Sequence, residues 1–142
     1  MHYFVSDGSN VIFEGEFTKD ENNNHEFKII KEHSFSQLDK NGVHVPLKNI
    51  NELEFVQGKI WANVWLTNDV CVLDMHQDKV VRKFDFKHIT ELENNYRSTE
   101  QILATGRDEV LNGIAYNPIL KTLLLTGKNW NFVYELLILD DN

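Results

Sequence analysis

The sequence has few of the residues that cross-link a chain or carry it through a membrane. Cys71 is the only cysteine among 142 residues, so neither an intrachain disulfide nor a cysteine-based zinc cluster can form. It lies in the apolar run 70–72, which favours a buried, inert thiol over a nucleophile. No apolar run approaches the ~20 residues that a transmembrane helix needs. The six histidines lack zinc-site spacing and no glycine motif cradles a phosphate, so the sequence predicts no metal and no cofactor.

Positive charge is also scarce. The chain has 14 Lys and Arg against 22 Asp and Glu, a formal net charge of -8, and no segment concentrates the basic residues. Because such a chain repels phosphate groups, neither nucleic acid nor an anionic membrane is an expected partner. Residues 1–8 contain neither a basic nor an apolar segment, so no signal peptide is predicted.

The sequence consists mainly of short strand-like runs. Segments rich in β-branched and aromatic residues alternate with turn signals. Four consecutive runs with short connections predict an antiparallel meander over residues 52–86. Ile89, Leu92 and Tyr96 recur at helical spacing, which predicts one short surface helix within 87–104. The predicted strands are 3–6, 11–17, 26–35, 52–56, 59–65, 70–75, 80–86, 111–116, 121–126 and 131–139.

Two stretches of the chain repeat each other. Residues 68–73 align with residues 131–136, and the same register places Trp65 opposite Lys128. Self-similarity at such a period predicts radial or solenoidal stacking of one supersecondary unit. The pattern therefore predicts an all-β fold, a partial β-propeller of about two and a half blades with one short helix inserted. A β-sandwich is the alternative architecture.

The predicted propeller is a single partial domain over residues 1–142. Its approximate blades are residues 1–40, 41–86 and 110–142, with the helical insertion at 87–104. A closed propeller needs at least about four blades, because an open one leaves strand edges unpaired. We therefore expect the chain either to be part of a longer propeller or to associate with a second copy or a complementing half.

Aromatic and basic residues at strand ends are the first binding candidates. Residues 60–65 alternate, which places Trp61, Asn63 and Trp65 on one face of a strand. Trp61 is interpreted as packing between blades, whereas Trp65 suits either a pocket or a packing role. Lys128 holds the equivalent position in the next unit, where the pattern is compatible with a solvated lysine or a ligand-binding one.

Two asparagines also occupy equivalent positions in the repeat. With two extra residues allowed in the loop at Pro118, Asn51 falls opposite Asn112, each at the entry of a strand. Their carboxamides suit hydrogen bonds within turns as well as contacts with a ligand. For Asn112 the turn interpretation is retained.

Five segments, in one order, resemble the signature motifs of the plant and bacterial glutaminyl cyclases, the glutamine cyclotransferases. Several motifs in family order are far more specific than any single one, and the similarity extends over nearly the whole chain. The segments are Ser6-Asp7-Gly8-Ser9, Asn51-Glu52-Leu53-Glu54, Trp61-Ala62-Asn63-Val64-Trp65, Val110-Leu111-Asn112-Gly113-Ile114-Ala115-Tyr116 and Thr126-Gly127-Lys128-Asn129-Trp130. The chain is identified as a member of this family.

The resemblance implies a fold, a reaction and a set of pocket residues. The family is a five-bladed propeller, unrelated to the zinc-dependent animal cyclases. Its enzymes convert the N-terminal glutamine of a peptide into pyroglutamate and release ammonia, so such peptides are the implied partners. By resemblance, Asn51, Trp65 and Lys128 match substrate-binding positions. Trp65 would form a wall around the glutaminyl group, and the other two would hydrogen-bond it. Members are often secreted or lumenal, which leaves the compartment open.

The chain also departs from the family pattern. No segment matches the family's Phe-Thr-Gln-Gly-Leu, Gly-Trp-Gly-Leu or Glu-Ser-Thr-Gly motifs, and the last of these carries the acid/base glutamate. Consequently no catalytic residue is assigned. Glu52 and Glu54 are interpreted as structural hydrogen-bonding groups or edge charges, and Asn131 replaces the usual proline after Trp130.

Two hypotheses about function follow from these departures. The first is a glutaminyl-peptide cyclotransferase, represented here by its C-terminal half and inactive as this chain alone. The alternative is a non-catalytic propeller remnant that binds peptides or proteins.

Overall fold

The computed structural model describes residues 1–100 and 110–139. These residues form an all-β structure with one short helix, which confirms the all-β class that the sequence predicts. The strands are β1 (Tyr3–Ser6), β2 (Val11–Lys19), β3 (His25–Ser34), β4 (Ser36–Leu38), β5 (His44–Pro46), β6 (Ile50–Val56), β7 (Lys59–Val64), β8 (Asp69–Asp74), β9 (Lys79–Asp85), β10 (Leu111–Asn117), β11 (Thr122–Gly127) and β12 (Tyr134–Leu137). The helix is α1 (Lys87–Tyr96).

The strands form three antiparallel meanders and one hairpin. The N-terminal sheet is β1-β2-β3, the central sheet is β6-β7-β8-β9, and the C-terminal sheet is β10-β11-β12. These strands match the predicted runs, with boundaries shifted by a few residues. The hairpin β4-β5, which turns at Asn41-Gly42, was not predicted, because strands of three residues carry too short a pattern.

The first strands of the three sheets lie next to one another. Strand β6 contacts both β1 and β10. The Ser6 hydroxyl on β1 donates to the Asn51 carbonyl on β6 at 2.6 Å. The Glu54 carboxylate on β6 accepts the Tyr116 N–H of β10 at 2.9 Å. Glu54 is therefore the structural hydrogen-bonding group that the sequence analysis expected, and these bonds set the spacing of the sheets.

Two apolar clusters fill the spaces between the sheets. One lies between the N-terminal sheet, the hairpin region and the central sheet, and contains the fully buried Ile12, Phe35 and Cys71. The burial of Cys71 confirms that part of the prediction, and it raises the pKa of the thiol to about 11, as expected of an inert cysteine. The other lies between the central sheet, α1 and the C-terminal sheet. There Trp61 packs against the cluster that includes Leu123 and Leu125 of the C-terminal sheet, which confirms its packing role between sheets. It also stacks on Phe84 of its own sheet, with ring centroids 5.3 Å apart.

Helix α1 lies within the predicted segment but turns a different face inward. It ends at Tyr96, and residues 101–104 of the predicted segment lie outside the described residues. Ile89 is buried as the pattern requires, but Leu92 and Tyr96 are exposed. The other buried residue is Glu93, which the apolar periodicity could not indicate. No helix of residues 1–100 and 110–139 is long and apolar enough to cross a membrane.

Candidate functional site

Trp65 and Lys128 occupy equivalent turns of the central and C-terminal sheets. Trp65 follows the second strand of the central sheet, and its backbone N–H donates to the Asn49 carbonyl at 2.9 Å. Lys128 follows the second strand of the C-terminal sheet, and its N–H donates to the Val110 carbonyl at 3.3 Å. The two bonds are counterparts, so the repeat register read from the sequence corresponds to a repeat of backbone geometry.

Both turns share an unusual backbone conformation. The residue after Trp65 is Leu66, with φ of 66°, and the residue after Lys128 is Asn129, with φ of 58°. Such left-handed angles are common for Asn but rare for Leu, which indicates that the central turn is imposed by its surroundings. Gly127 precedes Lys128, and a Cβ at that position would overlap the Trp130 indole. The packed Trp130 indole therefore leaves room only for a glycine at position 127.

The two turns bring their side chains together. The Lys128 ammonium lies 5.5 Å from the centroid of the Trp65 ring, in cation–π geometry. Lys128 is exposed and Trp65 is half-buried, so both can reach a ligand. The structure therefore places them at the same end of neighbouring sheets, as the sequence register predicted.

Asn51 and Asn112 follow the backbone partners of this pair, Asn49 and Val110, by two residues, on matching irregularities in the first strands of the central and C-terminal sheets. The register between β6 and β7 shifts between Ile50 and Leu53, and that between β10 and β11 shifts between Leu111 and Ile114. A β-bulge of this kind redirects the side chain that it carries. Asn51 Nδ2 donates to Asn112 Oδ1 at 2.7 Å, so the two carboxamides join the sheets.

The contact between the asparagines corrects one interpretation. Asn112 is not a turn-bonding residue, because its side chain accepts from a residue 61 positions away in another sheet. The adjacent Gly113 has φ of 149°, and a Cβ there would meet the Thr126 methyl at 2.6 Å. A glycine is therefore required where the bulge presses against β11.

Asn63 supports these residues from inside the central sheet. Its side chain is fully buried, and its Nδ2 donates to the Leu111 carbonyl at 2.8 Å. Its Oδ1 accepts from the Glu52 N–H at 3.2 Å and from Asn51 Nδ2 at 3.4 Å. The sequence pattern places Asn63 between two tryptophans but indicates no role for it, since its partners come from other strands.

We call Asn51, Trp65, Asn112 and Lys128 the junction site. It combines one cation, one indole face and two carboxamides at the junction of the central and C-terminal sheets. Across residues 1–100 and 110–139, no group of three His, Cys, Asp or Glu side chains is arranged to hold a metal ion. The chemistry that the junction site offers is hydrogen bonding to amide and carbonyl groups and attraction of negative charge.

Comparisons with known proteins match this chain to one family. A family model described as glutamine cyclotransferase matches residues 3–138. A glutaminyl-peptide cyclotransferase of Arabidopsis thaliana is 25% identical over 92 residues, which cover 63% of this chain and 26% of that protein. The crystal structure of Myxococcus xanthus glutaminyl cyclase matches with a TM-score of 0.70 and 28% identity, over 98% of this chain and 53% of that chain.

The extent of these matches settles the family and shows a difference in length. The chain spans only about a quarter of the plant protein and about half of the bacterial one. The family match nevertheless runs from the first strand to the residue after the last. This chain therefore belongs to the glutamine cyclotransferase family.

Proposed function

We propose that the junction site forms part of the glutaminyl-binding pocket of a glutaminyl-peptide cyclotransferase. The observation that carries the proposal is the contact between the Lys128 ammonium and the Trp65 ring, with Asn51 two residues after the Asn49 carbonyl that binds the Trp65 backbone N–H. These three residues are the ones that resemble the family's pocket positions. The adjacency of β1, β6 and β10 supports a further proposal, that the three sheets are blades of a five-bladed propeller and that their first strands line its axis.

The proposed reaction is an intramolecular acyl transfer. The α-amine of an N-terminal glutamine forms a bond to the side-chain Cδ, and the Cδ–Nε2 bond breaks to release ammonia. Trp65 would hold the glutaminyl group folded back, which shortens the path of attack. Lys128 would donate to the carbonyl oxygen and stabilise the oxyanion of the tetrahedral intermediate, while Asn51 would hydrogen-bond the reacting amide.

Proton transfer needs a group beyond the junction site. The amine must lose a proton and the departing ammonia must gain one, which a positioned acid/base residue accelerates by about 10²–10⁴-fold. The family's glutamate for this task lies in a motif that these 142 residues do not match. Glu54 is already bound to the Tyr116 N–H. We therefore expect no cyclisation by the 142-residue chain alone.

An ammonia-release assay tests the proposal. The 142-residue chain with a Gln-initiated peptide should give only the background rate. Fusion to an N-terminal half that carries the Glu-Ser-Thr-Gly motif should restore activity. In that fusion Lys128→Ala should lower kcat by about 10²–10³-fold, the usual cost of one oxyanion donor.

Lys79→Ala is the matched control, because Lys79 is exposed at the opposite end of the central sheet. It should leave the rate unchanged. If the fusion, with its active site complete, binds the peptide but never cyclises it, the result would instead favour a non-catalytic binding module.

A further inference from the structure

The orientation of the Asn63 carboxamide is fixed by the backbone. Its Nδ2 faces the Leu111 carbonyl at 2.8 Å, and its Oδ1 faces the Glu52 N–H at 3.2 Å. A carbonyl can only accept a hydrogen bond and a backbone N–H can only donate one. Because the side chain is fully buried, reversing it would leave both backbone groups unsatisfied. Asn63 therefore has only one stable orientation.

That orientation is passed on to the junction site. Asn63 Oδ1 also faces Asn51, which must present its donor end, and Nδ2 of Asn51 lies 3.4 Å away. The same Nδ2 donates to Asn112 Oδ1 at 2.7 Å. Within residues 1–100 and 110–139, Asn51 Oδ1 and Asn112 Nδ2 have no hydrogen-bond partner. The three asparagines thus leave one acceptor, on Asn51, and one donor, on Asn112, without a partner among these residues.

We propose that Asn63 and Asn112 are positioning residues that fix the direction of the Asn51 carboxamide, and that Asn51 Oδ1 and Asn112 Nδ2 together recognise a primary carboxamide. This inference rests on the proposed function and adds Asn112 to the pocket. The side-chain amide of an N-terminal glutamine donates an N–H to Asn51 Oδ1 and accepts from Asn112 Nδ2.

The same pair rejects a carboxylate. The side-chain carboxylate of an N-terminal glutamate has no N–H to donate to Asn51 Oδ1, and it would place one of its own oxygens against that oxygen. Sites that hydrogen-bond a polar group discriminate strongly against an analogue that leaves their own groups unpaired. The expected preference of glutamine over glutamate is at least about tenfold in Kd, which corresponds to about 1.4 kcal/mol.

Hydrogen exchange of the side-chain NH₂ groups tests the direction without any ligand. In the ¹⁵N-labelled 142-residue chain, the Asn51 NH₂ group should exchange more slowly than that of Asn112. Asn112→Leu removes one acceptor and should accelerate exchange at Asn51 about fivefold, which corresponds to a hydrogen bond of about 1 kcal/mol. Asn112→Asp keeps an acceptor oxygen and should leave that exchange unchanged. Fast exchange at Asn51 together with protection at Asn112 would overturn the proposed direction.

Titration with two dipeptides tests the recognition. Gln-Ala should shift the Asn112 NH₂ resonances and bind more tightly than Glu-Ala. Asn112→Asp, with its fold checked by circular dichroism, should weaken Gln-Ala binding without accelerating exchange at Asn51, because it removes the donor to the ligand carbonyl but keeps the acceptor for Asn51; a merely structural residue would not separate the two effects. Equal binding of both dipeptides by the unmodified chain would refute the recognition pair. If the exchange order holds but neither dipeptide binds, the recognition pair is refuted while the positioning of Asn51 stands, and the ammonia-release assay on the fusion decides the proposed function separately.

Discussion

Glu93 anchors the turn that carries Lys128, and its removal gives the sharpest test of the packing between α1 and the C-terminal sheet. The carboxylate is fully buried. One oxygen accepts the Asn131 N–H at 2.6 Å, and the other accepts the Tyr134 hydroxyl at 2.8 Å. Burial, together with the hydrogen bond to Glu93, raises the pKa of Tyr134 to about 12. In the family pattern residue 131 is a proline without an N–H, so this anchor depends on Asn131.

The cost of Glu93→Ala can be worked from these two bonds. Hydrogen bonds to a charged group contribute about 1.5–3 kcal/mol each, while removing a buried carboxylate also removes its desolvation cost. The net loss in the free energy of unfolding should be about 2–4 kcal/mol. Glu93→Gln keeps an acceptor for the Asn131 N–H and offers an N–H₂ to the tyrosine oxygen, so its loss should be about 1 kcal/mol or less.

Urea unfolding followed by circular dichroism measures these differences. All variants should be compared at one protein concentration, since association would couple to unfolding. Tyr134→Phe removes one of the two hydrogen bonds, and its free energy of unfolding should lie between those of Glu93→Gln and Glu93→Ala. In a double-mutant cycle, Glu93→Ala and Tyr134→Phe should be less than additive. Equal stabilities of Glu93→Ala and Glu93→Gln, or full additivity in the cycle, would refute the reasoning.

Three further predictions concern acid stability, catalysis and assembly. The Lys59 ammonium donates to Asp74 Oδ2 at 2.6 Å and lowers the pKa of Asp74 from its usual 3.8 to about 2. The stability that this carboxylate contributes is therefore present above pH 3.8 and is lost as the pH falls toward 2. The urea midpoint should therefore drop over that range, and an equally steep drop in Asp74→Asn would contradict this origin. In the active fusion, Lys128→Arg should retain more activity than Lys128→Ala, because the charge remains over Trp65; the ratio of their kcat values is the readout. The exposed apolar side chains Tyr3 and Val133 lead us to expect self-association of the isolated chain, and a monomer in sedimentation with a sharp two-state thermal transition would argue against it.

The alternation of residue types and the turn signals by themselves predicted the strands of the three meanders. Alternating residue types, as in residues 60–65, are typical of a strand and predicted the span of β7 closely, although both faces of β7 are buried towards Val64. The internal repeat predicted more than strands. Because equivalent residues of repeated units fold alike, the repeat alone placed Trp65 and Lys128 in counterpart turns, and the family motifs added Asn51 to them.

The tertiary structure decided where polar groups are buried. Glu93 is polar on a helix whose periodicity favoured Leu92 and Tyr96, and its burial depends on donors 38 and 41 residues away. Asn63 acquires its direction from a carbonyl 48 residues away. A local pattern reports how apolar a position is, but a buried polar side chain is stabilised by specific partners, and only the packing of the sheets brings those partners within hydrogen-bonding distance.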